Sequence, residues 1–153
     1  MKSLITAGYA ITMFTGLLLM SSSVQASDRK VMLPIAGAMA ANDASTRLDD
    51  SVKFYFGHQK TPAVIKKFST DKTSNKTNAF GKSDEKACNW VFLSSMLQLQ
   101  KRARELGANA VVNIVSNYNN AEFSSETEFE CHAGAIMAGV ALKGDFVKIA
   151  DKK

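Results

Sequence analysis

Between Ser83 and Leu106 the apolar residues Cys88, Phe92, Met96, Leu99, Ala103 and Leu106 recur at steps of three or four. That period places all six on one face of an α-helix, so the rest of the chain has to supply a surface that covers a long apolar stripe. The flanks agree with a helix. Ser83 is a candidate N-cap, Asp84 and Glu85 suit the positive end of the helix dipole, and Lys101, Arg102 and Arg104 suit the negative end. Gly107 offers the left-handed stop.

The covering surface reads as strands. Val52, Phe54 and Phe56 alternate with Lys53 and Tyr55, and Gly57 ends the run. A turn through His58 to Pro62 leads to AVIKKF, expected as the partner strand. The stretch STDKTSNKTN, 69–78, is polar without apolar periodicity and predicts a surface loop. Beyond the helix, Ala110 to Val115 is a β-branched run, and NYNNAEFSSETE predicts a turn or long hairpin loop. Phe129 to Leu142 predicts one long strand, with Gly134 and Gly139 where a helix or a neighbouring backbone can come close. Gly144 is expected to break it before FVKI extends the sheet. Residues 27–50, an alanine-rich apolar piece followed by NDASTRLDD, predict an N-terminal arm or a short packed segment. The order strand, strand, helix, strand, strand implies an α+β fold over 51–150, with one main amphipathic helix on a small antiparallel or mixed sheet.

Residues 1–26 have the form of a secretory signal: Lys2, an apolar run from Ile11 to Met20, and the small-residue exit SSSVQA with cleavage expected after Ala26. The apolar run is shorter than the roughly 20 residues of a bilayer span, so no membrane span is expected after cleavage. The exported chain is expected in the periplasm or outside the cell. It would hold 127 residues, enough for one domain. Lys2 is the only charge lost, and eighteen Lys and Arg against fourteen Asp and Glu leave +4, spread without the concentrated patch that nucleic acid requires. Weak attraction to anionic envelope surfaces is compatible with that charge.

Two cysteines in an exported chain point to a disulfide, Cys88 to Cys131, from the first turn of the helix to the last long strand. The alternative is a zinc or copper site from Cys88, Cys131, His132 and His58, with Glu128 or Glu130 nearby, because thiolate and imidazole suit those metals. Cys131 and His132 are adjacent in a strand and leave opposite faces, and no close-spaced pair such as C-x-x-C starts a site. A third alternative, Cys88 as a thiolate nucleophile with a histidine base, needs the same thiol that a disulfide would consume. Gly81-Lys82-Ser83 matches the end of a phosphate-binding loop, but Lys76 stands where the first glycine is needed. The three residues therefore predict the end of a loop and a helix N-cap, with no nucleotide bound.

The block KTNAFGKSDEKACNWVFLSSMLQLQKRARELGANAVVNI, with FECHAGAIMAGVALKGDFVK, resembles a family of short exported bacterial proteins often labelled "excinuclease ATPase subunit". The label implies cytoplasmic DNA-repair chemistry, whereas the residues offer an export signal and no complete phosphate loop. Over the C-terminal half, the helix, LGANAVVNI and the small-residue strand ending near AGVAL are similar to YbjQ-type heavy-metal-binding domains and to the envelope stress sensor lipoprotein family of RcsF. That resemblance implies a small α/β unit with a helix across a sheet. The chain departs from it in having no lipidated cysteine and one pair of cysteines instead of two. The expectation that follows is a non-catalytic binding or accessory module of the cell envelope, with an envelope protein or ligand as partner and no cofactor; a metal-binding or metal-responsive periplasmic protein is the alternative.

Overall fold

The computed structural model describes residues 28–150, so the signal peptide read at 1–26 lies outside the described residues. Seven strands and three helices follow one another as β1 (Arg29–Pro34), α1 (Ile35–Ala40), α2 (Ala44–Arg47), β2 (Lys53–Phe56), β3 (Val64–Asn78), α3 (Asp84–Leu106), β4 (Ala110–Tyr118), β5 (Ala121–Phe123), β6 (Glu128–Ala133) and β7 (Met137–Ile149). All strands belong to one mixed sheet. Its spine is β7, which pairs along its whole length with β3 and, on its other edge, with β4 and then β6. Only β2 and β4 run parallel, as strands joined through a helix can.

The helix α3 forms where the apolar period placed it. The Ser83 hydroxyl accepts from the Lys86 N–H, and Gly107, at φ 74°, closes the other end. Cys88, Phe92, Met96, Leu99 and Ala103 are fully buried against the sheet, with Phe129, Phe146, Val140 and Leu142 on the strand side. The buried arc is wider than the stripe because α1 and α2 lie along a second flank of α3. There Gln100 donates to the Arg47 carbonyl, and the Arg47 guanidinium stands 5.5 Å from the ring centre of Trp90. A smaller apolar cluster of Ala110, Val112, Val147 and Ile149 packs with Tyr55 on the opposite face.

The sheet is larger than the sequence suggests, and the differences have physical causes. Residues 69–78, expected as a loop, are the last ten of the fifteen residues of β3. Their polarity reflects an outer strand whose inward side chains bond to polar residues of α3, so no apolar alternation is needed. AVIKKF does not pair with β2; β3 pairs with β7, and β2 lies beside β4. The single strand expected over 129–142 is a hairpin, turned at Gly134 to Ile136 and closed by the Gly134 N–H to the Met137 carbonyl. Gly144 does not break a strand. It sits inside β7, where a Cβ would lie 2.7 Å from Val111 Cγ1, so the missing side chain lets β4 and β7 pack.

Three left-handed asparagines shape β4 and its exit. Asn113, at φ 53°, sits where the register with β7 shifts between Val112 and Val115. Asn119 and Asn120, both left-handed, make the two-residue turn into β5, a geometry that favours tight hairpins. The N-terminal segment is structured over its described part: β1 pairs with β6 from Arg29 to Pro34 before α1 turns onto α3.

Candidate functional site

Cys88 and Cys131 are joined, with Sγ–Sγ 2.01 Å and Cα–Cα 5.9 Å, and both are fully buried. The bond ties the first turns of α3 to the inner face of β6. His132, the next residue, leaves the opposite face, and His58 is exposed on the turn after β2. The four residues of the zinc or copper alternative therefore do not converge. Both sulfurs are spent in the disulfide, and among the described residues no three His, Cys, Asp or Glu side chains group as a metal site would require. The same bond removes the thiolate that a Cys88 nucleophile would need.

The fork in the sheet builds a polar cluster around His132. β4 follows β7 as far as Ser116, but beyond that point β6 occupies the same edge, through His132 opposite Gly139 and Ala133 opposite Ala138. The last residues of β4 lie against β6 instead. Ser116 Oγ accepts from the Glu130 N–H at 2.9 Å, and the Tyr118 ring stacks on the His132 ring with centres 3.5 Å apart. His132 Nε2 is 2.7 Å from Glu130 Oε1, and Nδ1 is 3.1 Å from Asp28 Oδ1, so the imidazole stands between two carboxylates. Lys30 of β1 completes the set, 2.8 Å from Glu130 Oε2. Burial acts to raise the Glu130 pKa, but hydrogen bonds from Lys30 and His132 prevail and hold it below the ordinary 4.5. Burial, then the Asp28 charge, pushes the Tyr118 phenol up. These contacts join the start of the described chain and β1 to β6 and β4, which makes the cluster a clasp between them.

A second polar region is left incomplete. Between β3 and the C-terminal half of α3 runs a groove of about 600 Å³, floored by Thr73 and Phe146 and walled by Gln98, Leu99, Lys101 and Arg102. Along its floor Asp71 accepts from Arg102 Nε at 2.9 Å, and further along β3, past the groove, Asn75 donates to Gln98 Oε1 at 2.9 Å and to Ser95 Oγ at 3.1 Å. The Arg102 hydrogen bond is the main reason that the Asp71 carboxyl stays below its usual range. Thr73, midway between them and only 5% exposed, has no partner for its hydroxyl. A buried unsatisfied hydroxyl is uncommon in folded proteins and calls for an explanation. The sequence alone points to none of the groove residues as a ligand contact, because the segment that floors it reads as a loop.

Gly81-Lys82-Ser83 lies on the short connection from β3 to α3. Lys76, at the position of a phosphate loop's first glycine, is inside β3 opposite Gly139, so only residues 79–83 remain between strand and helix. Ser83 caps the helix, and Lys82 Nζ donates to the Asn78 carbonyl at 2.8 Å. No family model, curated protein or solved structure matches the chain.

Proposed function

We propose that the chain is an exported, non-catalytic binding module of the cell envelope and that the groove between β3 and α3 seats its ligand. The observation that carries this reading is the Thr73 hydroxyl, buried and unpartnered at the centre of an otherwise satisfied polar row. A volume near 600 Å³ is that of a site for a small molecule. The wall carries Lys101 and Arg102 together with the Gln98 amide and with Glu105, whose carboxylate stands 3.6 Å from Arg102. A small polar ligand with an anionic or amide group for the wall fits that chemistry, and an acceptor on it would meet the Thr73 hydroxyl once the side chains over that buried oxygen part. The disulfide supports export, since such bonds persist in oxidising compartments and are kept reduced in the cytosol.

The test is an amide NMR titration of the oxidised protein with a panel of amino acids, sugars and dicarboxylates. A hit should move the signals of Thr73, Gln98 and Arg102, and Thr73→Val should weaken it at least tenfold while leaving the rest of the spectrum in place. Shifts confined to another part of the molecule, or a Thr73→Val variant that binds as well as the parent, would sink the assignment.

A further inference from the structure

The structure leaves three large apolar side chains in the open at one end of the sheet. Phe80 is 75% exposed, Ile136 64% and Met137 44%. Phe80 and Ile136 come from two adjacent connections, the β3–α3 loop and the β6–β7 turn, which the Ala79 N–H joins by donating to the Ile136 carbonyl at 2.9 Å, and Met137 opens β7. Asn78 and Met137 are register partners at the last rung of the β3–β7 ladder.

The tip is held in shape. Asn78 Oδ1 accepts from the Phe80 N–H at 2.8 Å, the Lys82 N–H bonds to the Ala79 carbonyl at 3.0 Å, and Gly81 takes the left-handed φ of 70° that the turn needs. Ala79 is buried and anchors the loop, so Phe80 is presented outward on a fixed backbone. The charges behind the tip are mostly positive. Lys76, Lys82 and Lys86 stand free of carboxylate partners among the described residues, Arg29 is paired with Asp84, and Glu85 is the one opposing charge without such a pair.

From this we infer that the Phe80–Ile136–Met137 tip docks the protein onto an anionic lipid surface. Apolar side chains at a projecting end, with lysines set behind them, match the two parts of an interfacial membrane: the apolar groups enter the acyl boundary while the long lysine stems reach the headgroup charges. The proposal is independent of the groove between β3 and α3, which lies along the other half of β3.

Cosedimentation of the exported, oxidised protein with phosphatidylglycerol vesicles and with phosphatidylcholine vesicles tests it. Binding is expected to the first and about tenfold or more weaker to the second, and to fall as salt is raised. Phe80→Ser with Ile136→Ser should lower the partition by about tenfold or more, since burying part of the two side chains is together worth at least about 1.4 kcal/mol. Both side chains are exposed, so an unchanged circular dichroism spectrum shows that the loss is not unfolding. Absence of sedimentation with phosphatidylglycerol, equal affinity for both lipids, or a double variant that binds like the parent overturns the inference. Self-association abolished by Phe80→Ser would assign the tip to a second copy of the chain and overturn it too.

Discussion

Replacing both cysteines, Cys88→Ala with Cys131→Ala, removes a cross-link whose ends are 43 residues apart and that encloses most of α3 with β4, β5 and the start of β6. In the chain-entropy account, opening a loop of that length returns about 4 kcal/mol of freedom to the unfolded state. Domains of this size hold about 5–15 kcal/mol in all, so the variant should keep its fold with a much smaller margin and melt about 15 °C lower. Deleting the two sulfurs also leaves a void in the core, which adds to the cost because neither site is open to water. The assay is urea unfolding followed by far-ultraviolet circular dichroism. Trp90 fluorescence is a poorer probe, since the indole is two residues from Cys88 and senses the bond itself. Free energies at zero urea must be compared instead of midpoints, because an unfolded chain without the cross-link exposes more surface and steepens the dependence. A loss below about 1 kcal/mol would refute the reasoning: the ends would then be held together in the unfolded state without the bond, or the bond would be absent from the purified protein. A wild-type denatured mass lighter by two hydrogens separates these outcomes.

Gly144→Ala puts a methyl group 2.7 Å from Val111 Cγ1 in the core and should cost about 1–3 kcal/mol in urea unfolding, with part returned by Val111→Ala; a neutral Gly144→Ala would mean that the β4–β7 packing is looser than described. Thr73→Val deletes the orphaned hydroxyl at constant shape and, without ligand, should leave stability equal or up to about 1 kcal/mol higher; a clear loss would show that the hydroxyl has a partner in the free protein. Ser83→Ala removes the acceptor for the Lys86 N–H and should cost about 1 kcal/mol, measured as thermal stability, and an unchanged melting point would argue against the cap. Glu130 is depressed below 4.5 in the fold, so its contribution is present above pH 4.5 and is lost as pH falls through the lower folded value. Glu130→Gln should therefore flatten the acid side of the stability profile without abolishing its slope, since Asp71 and Asp145 are depressed as well; parallel profiles would contradict the ion pairing seen with Lys30 and His132.

The candidate site is only partly legible in the residues. The disulfide can be read from the count of cysteines and the expected compartment, and the cap at Ser83 from its place before the helix. The groove cannot. Asp71, Thr73 and Asn75 look like loop residues, because a strand is normally recognised by apolar alternation, and here the alternate positions face Ser95, Gln98 and Arg102 across a polar gap. The His132 cluster is hidden for a related reason: Asp28, Lys30, Ser116, Tyr118, Glu130 and His132 come from segments that meet only where the sheet forks.

Local features follow from the residues alone. The helix from Asp84 to Leu106, its two ends, the β2 and β4 strands and the pairing of the only two cysteines rest on spacing, capping chemistry and count, which act within a few turns of chain or leave one choice. Everything else depends on the assembled sheet. Whether a polar run becomes a loop or an outer strand depends on whether a neighbour offers a ladder of hydrogen bonds, and β7 offers β3 one along its full length. The hairpin at Gly134, the close approach at Gly144 and the fork that brings Tyr118 onto His132 likewise depend on which strand holds an edge of β7, and that competition is settled by packing between residues distant in the chain.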